Sequence, residues 1–485
     1  MILQALYKLA EQEELTSYVD YVPKRVAWLA HIDDDGRLLD FVGTHSVPPG
    51  GKKPVAMFRA MPRDSERTSG DKAYFLHDKS DYSLGNIPGS EKTSAKTRKR
   101  FALFRERVSQ CAEATGDPAV LALEKFCTSL QDGSQQIEIP EELTANDLIG
   151  FVYYKDVDTL ITERPAIKDY WEKKRHAGES QNDDTVFRCL VTNDLFAEPG
   201  LFPRVKKVPG GSASGISLVS INASAFESFG LKGNENALIS PRAAEVCATA
   251  LQRLLDRDYP EPDDMKIALK RRNIHLGAET AVCFWAASPS GKQSSGDPLA
   301  DAMAGLLEAD PATVGELYKS IWRGSVPDID DPSAFYVLTL SGAQGRATVR
   351  DWIESTVADT ARHIAAHFND LQLVRNTPPP RKGSLPPALS MRSLLEGIAV
   401  RGRREDIPSH VAAALARSAF TGIPYPTSML QRAMQRYRAE LGLEHDDNDW
   451  WIAKARNDAR AALIKAALNR RLRFSQTKSY KEATP

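Results

Sequence analysis

PRVKKVPGGSASGISLVSINASAFESFGLKGNENALIS, residues 203–240, sets two small-residue loops around one short apolar run. It opens on three cations, Arg204, Lys206 and Lys207, and runs into Gly210, Gly211, Ser212, Ala213, Ser214 and Gly215. The run Ile216–Ile221 predicts a strand ending at Asn222, and a second loop, Gly230–Asn236, holds Asn234 and Asn236. Ser240-Pro241 marks a helix start, with a capping hydroxyl and a proline in the first turn. Glycines let main-chain N–H groups face an anion, so the stretch predicts a close approach to phosphate, in a nucleotide or a nucleic acid. Strands and helices follow on both sides, and the reading is an α+β chain with a mixed body and an all-helical C-terminal region.

Nucleotide chemistry can be tested against strict patterns. A phosphate-binding GxxxxGK[ST] loop fails because Ile216 and Ser217 follow Gly215. The GxGxxG spacing and its strand–helix context are both missing. A nucleophile elbow, GxSxG, would need serine where Ala213 stands. No clustered zinc ligands occur, and the pair His363/His367 has Ile364 where a zinc protease needs glutamate. His77-Asp78 and His445-Asp446 sit in polar stretches without further histidines close by. The expectation is therefore a binding role with no catalytic residues, metal or cofactor. The rival reading is a nucleotide-binding enzyme or hydrolase built on Gly210–Gly215.

At 485 residues the chain is long enough for about two to four domains. A formal charge of −1 is uninformative, but its distribution is not. From Arg381 to Pro485 there are 19 Lys and Arg against 10 Asp and Glu, a basic end on a slightly acidic body that suits a polyanionic partner. Five widely spaced cysteines, with no CxxC, indicate neither a disulfide framework nor a zinc knuckle. The start, MILQALYKLAEQEEL, lacks the features of a signal peptide, and no apolar run is long enough to span a membrane. A reducing cytoplasm is the expected setting.

Working outward, Leu3–Leu15 predicts an amphipathic helix, and Arg25–Ile32 with Arg37–Val42 a hairpin around Asp33-Asp34-Asp35-Gly36. Three carboxylates there suit a solvated turn better than a metal. The block from Arg67 to Leu76 interleaves Arg67, Ser69 and Lys72 with Tyr74, fitting phosphate contact and stacking, or else a polar loop entering a strand Ala73–Leu76. Arg98, Lys99 and Arg100 lead a basic helix through Cys111 that fits RNA contact or a snorkelling surface equally well. Helices are predicted at Pro118–Leu130, Ile167–His176 and Ser240–Leu255, and strands at Ile149–Tyr154, Thr185–Val191, Thr280–Ala286 and Phe335–Leu340. Further helices are expected near Leu299–Leu307, Ala312–Trp322 and Asp351–Phe368, with a Pro-rich linker at Thr377–Pro387. Beyond it Met391–Val400, Pro408–Phe420, Thr427–Leu441 and Asp449–Leu472 read as helices. Arg432/Arg436 and Arg456/Arg460 recur there at helical spacing, as a row tracking phosphates or a solvated face would.

The domains expected are 1–145, an N-terminal α+β region; 146–376, a central α+β region; 377–388, a linker; and 389–485, a basic helical region. SLVSINASAFESFG with GNENALIS, together with ETAVCFWA, FYVLTLSGAQGRATVRDW, IPYPTSMLQRAMQRYRAE and ARAALIKAALNR, resembles the large subunit of the type I-C CRISPR surveillance complex, Cascade. The likeness is spread in order along nearly the whole chain. It implies a non-catalytic, RNA-guided DNA-binding subunit seated by the 5′ handle of the guide RNA. Such a subunit reads the protospacer-adjacent motif on double-stranded target DNA, helps open the duplex and stabilise the R-loop, and presents the target to a recruited helicase–nuclease. Backbone and handle-binding subunits and a small subunit are the other implied partners. Members of the family usually continue about one small helical domain further, a region resembling the small subunit. The expectation is that Gly210–Ser214 with Asn222, Asn234 and Asn236 approaches the adjacent motif, asparagines being able to read base edges. Arg67, Ser69 and Lys72 are expected on phosphate or the RNA handle.

Overall fold

The computed structural model describes residues 1–13, 15, 19–47, 54–64, 71–85, 94–176, 186–256, 272–287, 334–343, 345–373, 389–441 and 450–482. The helices expected near 299–307 and 312–322, the linker, His445-Asp446, Arg67 and Ser69 lie outside these residues.

Helix α1 (Ile2–Gln12) is followed by strands β1 (Tyr21–Val26), β2 (Trp28–Ile32), β3 (Leu38–Gly43), β4 (Met57–Pro62) and β5 (His77–Lys79). Helices α2 (Ser80–Ser83), α3 (Ala95–Thr115) and α4 (Pro118–Asp132) come next, then β6 (Leu148–Tyr153), β7 (Asp156–Leu160) and α5 (Pro165–His176). Strands β3, β2, β6 and β5 form one sheet in that order, with β7 also on β6, and β1 pairs with β4 as a separate ribbon. Helices α3 and α4 cover the sheet through Phe104 and Phe126, whose rings lie 5.9 and 5.8 Å from that of Phe151. The expected hairpin is β2–β3. At its turn Gly36 takes a φ of 76°, and Asp33 Oδ1 accepts the N–H groups of Asp35 and Arg37. Asp34 accepts from Lys155, Tyr153 and Tyr154, which hold its carboxyl well below the usual range. Asp33 and Asp34 thus serve the turn and its neighbours, as the turn reading requires.

The central region holds the short strands β8 (Phe187–Arg188), β9 (Leu195–Phe196), β10 (Arg204–Val205) and β11 (Ile216–Ser217) before α6 (Pro241–Leu255). Then come β12 (Asn273–His275), β13 (Thr280–Ala286), β14 (Ala334–Ala343), β15 (Arg346–Thr356) and α7 (Val357–Asp370). Helices α8 (Met391–Ile398), α9 (Ser409–Thr421), α10 (Thr427–Glu440) and α11 (Trp450–Glu482) complete the chain. The six-stranded sheet runs β10-β11-β15-β14-β13-β12. Alternation along β13 decides the layering: Ala281, Cys283 and Trp285 share a core with α1 and α6, while Val282 and Phe284 share one with α7 to α11. A strand covered on both faces reads as one apolar run, which is why TAVCFWA looks uniformly buried. The helices after the Pro-rich stretch therefore pack into the same core as the strands before it.

Four local expectations are corrected. Residues 73–76 are not a strand; Tyr74 N and Phe75 N donate to the carboxylates of Asp78 and Asp64 instead of to a ladder, and Leu76 has a φ of 55°. The helix expected from Asp351 begins only at Val357, because Arg346–Thr356 pairs with β14 and Thr356 supplies the N-cap to Asp359 N. Strand β11 stops at Ser217 instead of Ile221, and of the strand expected over Thr185–Val191 the described residues hold only Phe187–Arg188, ended by a turn in which Asn193 N donates to Cys189 O.

Candidate nucleic-acid interface

The sheet register carries the candidate interface. Arg204 on β10 lies opposite Ser217 on β11, which lies opposite Arg346 on β15. Partners in register project to the same face, so the two arginines stand in one row, about 10 Å apart across two strand spacings. Their neighbours Val205 and Ile216 point the other way, into the core with α6. Arg204 Nη1 donates to Ser214 Oγ at 3.3 Å, and Ser214 Oγ lies 2.8 Å from Ser212 Oγ. Arg346 donates to Asn222 Oδ1, and its guanidinium lies 4.1 Å from the ring centre of Phe226. The half-buried Arg346 thus ties the exposed Asn222 amide and Phe226 ring into one unit, with Lys232 exposed on the loop beyond.

Gly210 and Gly211 are used differently from the expectation. Gly342 on β14 donates its N–H to Pro209 O at 2.7 Å. A Cβ on Gly342 would meet the Gly210 carbonyl carbon at 2.6 Å and press on Gly211 N. The close backbone approach that glycines permit is taken up by this chain's own hairpin. Gly211 N donates to Val208 O, Gly215 N to Ser212 O and Ser214 N to Ser212 Oγ, so these N–H groups are spent inside the loop and do not form a phosphate cradle. The hydrolase reading, which was built on that loop, finds no cradle in these three N–H groups.

The remaining residues separate clearly. Lys206 and Lys207 are exposed, and Lys207 is paired with Asp256. Asn234 is partly exposed, while the Asn236 amide is occupied by Ser228, Leu231 and Gly233. Lys72, Arg98 and Lys99 are exposed on the N-terminal layer. Arg100 turns inward to Asp71 at 2.8 Å and Asp81 at 2.5 Å. Tyr74 stacks on His77 with Lys24 Nζ 3.9 Å from its ring centre. Arg432, Arg436 and Arg456 are partly buried. Arg460 is 0% exposed, donating to Gly397 O at 2.7 Å and pairing with Glu440 at 2.8 Å, so the expected Arg456/Arg460 phosphate row is corrected: Arg460 faces the core.

The histidine pair is structural. His363 Nδ1 lies 3.1 Å from Phe420 O and His367 Nδ1 2.6 Å from the Tyr425 hydroxyl. Burial, with the Arg470 charge adding to it, pushes His367 down to about 3. Among the described residues no group of three potential metal ligands occurs, and no helix is long and apolar enough to cross a membrane.

Sequence reasoning missed Arg346, Phe226 and Phe229. Only pairing with a strand more than a hundred residues away brings Arg346 to this loop. Phe229 did carry a signal, an aromatic beside glycine in a polar loop, and it is 99% exposed.

Fold and face together define an α+β protein that presents a cationic row and exposed aromatic rings on one sheet end. The family model described as CRISPR-associated protein (Cas_Csd1) matches residues 3–484, and the chain belongs to that family. It is thereby a CRISPR-associated Cascade subunit, in keeping with the resemblance to the type I-C large subunit. No curated protein matches the chain.

Proposed function

We propose that the chain is the non-catalytic large subunit of an RNA-guided DNA surveillance complex, and that the β10–β11–β15 end reads the adjacent motif on duplex DNA. The observation that carries this reading is the row Arg204–Ser217–Arg346 joined to Asn222 and Phe226. Arginines on such a row neutralise phosphates and set register, and an amide held by a guanidinium offers donors to base edges. Guide pairing reads the remaining sequence in such complexes, which leaves the protein a short motif and the strand backbones. Ser212, Ser214, Lys206, Lys207 and Asn234 flank the row; Lys72, Arg98 and Lys99, with Arg67 and Ser69, are proposed to face the 5′ handle of the guide RNA. Opening the duplex, stabilising the R-loop, and presenting the target to a helicase–nuclease beside backbone, handle-binding and small subunits belong to the same reading. Arg432 and Arg436 offer a further phosphate contact.

Gel-shift of the assembled complex on matched targets with and without the adjacent motif tests the assignment. Asn222→Ala is expected to reduce discrimination between the two by about 5- to 150-fold, the range for one base contact. Full discrimination by an assembled Asn222→Ala complex would contradict the placement.

A further inference from the structure

Phe229 combines two unfavourable features: it is 99% exposed, and its φ of 53° is left-handed. Gly230 follows at 76°, and Leu231 N donates to Ser228 O. Two central residues with positive φ make the pattern of a type I′ turn, which Asn or Gly fills at little steric cost and a bulky aromatic does not. The loop around it is clamped. Asn236 Oδ1 accepts Ser228 N at 2.8 Å, and Asn236 Nδ2 donates to Leu231 O at 2.9 Å and Gly233 O at 3.1 Å. Glu227 accepts Gly233 N and Glu235 accepts Lys232 N, each at 2.9 Å. Phe226, at the foot of the loop, has the Arg346 guanidinium over one face of its ring and is less exposed than Phe229. The structure thus holds a fully exposed ring at the tip of a clamped loop whose foot, at Asn222 and Phe226, is tied to Arg346.

We infer that Phe229 stacks on an unstacked nucleobase of the bound nucleic acid, and that Asn236 is the positioning residue that holds it out. The inference rests on the nucleic-acid reading above and names the chemistry of its tip. Strain retained at an exposed position points to use outside the fold. A ring face accepts any base, so this contact reports that a base is unstacked, whatever its identity. Asn236, expected from sequence to read bases, is spent on the clamp instead.

The test uses the assembled complex on target DNA carrying 5-iododeoxyuridine, placed one position at a time beside the adjacent motif, with crosslinks mapped by mass spectrometry. A crosslink to Phe229 is expected, retained in Phe229→Trp and reduced at least about tenfold in Phe229→Leu, with Phe229→Ala weakening affinity about 5- to 150-fold. Phe229→Gly is expected to be at least as heat-stable as the parent while binding as weakly as Phe229→Ala, which a structural role would not produce. Asn236→Ala is expected to weaken binding in the parent and to have no further effect in the Phe229→Ala background. Absence of the crosslink while target is held at parental affinity, or release of a protein subunit by Phe229→Ala with DNA contact intact, overturns the stacking. An equal Asn236→Ala effect in both backgrounds overturns the positioning role. Unchanged binding by the Arg204→Ala/Arg346→Ala complex removes the interface reading itself, and the inference with it.

Discussion

Arg460→Ala is expected to destabilise the C-terminal helical layer by about 3–5 kcal/mol, the cost of leaving a buried charge without its partner. The side chain is 0% exposed, bridging Gly397 O on α8, Asn457 on its own helix and Glu440 at the end of α10. Truncation strands the Glu440 carboxylate, whose side chain is only 10% exposed, and leaves Gly397 O without this donor. Removing both charges together, as Arg460→Met with Glu440→Leu, is expected to recover most of the loss, since a well-packed apolar pair can replace a buried ion pair at little cost. Thermal and denaturant unfolding of the two variants checks this. The salt dependence of DNA binding by Arg460→Ala, measured below its melting temperature, is expected to match the parent. A stable Arg460→Ala protein with a shallower salt dependence would instead put this arginine on phosphate.

The second large effect belongs to Gly342→Ala. Gly342 does not need an unusual backbone conformation; it needs space, because Gly210 and Gly211 cross directly over it. An added methyl must push apart two backbones, which unlike a flexible side chain cannot swing away, so a loss of about 2–3 kcal/mol and a fall of roughly 5–10 °C in the relevant transition are expected. The functional consequence follows from the same contact. Pro209–Gly211 is displaced from the hairpin, and with it Ser212, Ser214 and the Arg204 that donates to Ser214. DNA affinity is then expected to fall although no residue facing DNA has changed. An unaltered melting curve would show that the loop does not rest on the hairpin.

Features encoded within a few residues were legible before the structure. Ser240-Pro241 starts α6 because cap and proline act locally, and Ser240 Oγ accepts Ala243 N; the helix expected from Pro118 likewise begins there, with Asp117 Oδ1 accepting Ala119 N. The apolar composition of β13 and the Asp-Gly turn between β2 and β3 were equally local. The candidate site was only half legible. Ser214 and Asn222 were named as contacts from their own stretch and Arg204 was noted there only as a cation; Arg346 joins them through parallel pairing of β11 with β15, and Gly342 meets Gly211 across more than a hundred residues. Spacing alone also misled at Arg460. It shares a helix face with Arg456, as expected, but that face also carries Ala459, Leu463, Ala466 and Ala467, all buried, and an arginine among small apolar residues is better read as inward.

The salt dependence of target binding by the assembled complex tests the central claim most directly. If Arg204 and Arg346 each neutralise one phosphate, the slope of log K against log salt becomes shallower by about 1.8 in the Arg204→Ala/Arg346→Ala complex, so that between 50 and 200 mM salt it loses about 12-fold less affinity than the parent. A slope identical to that of the parent, in a complex that assembles normally, would mean that nucleic acid does not lie on this face.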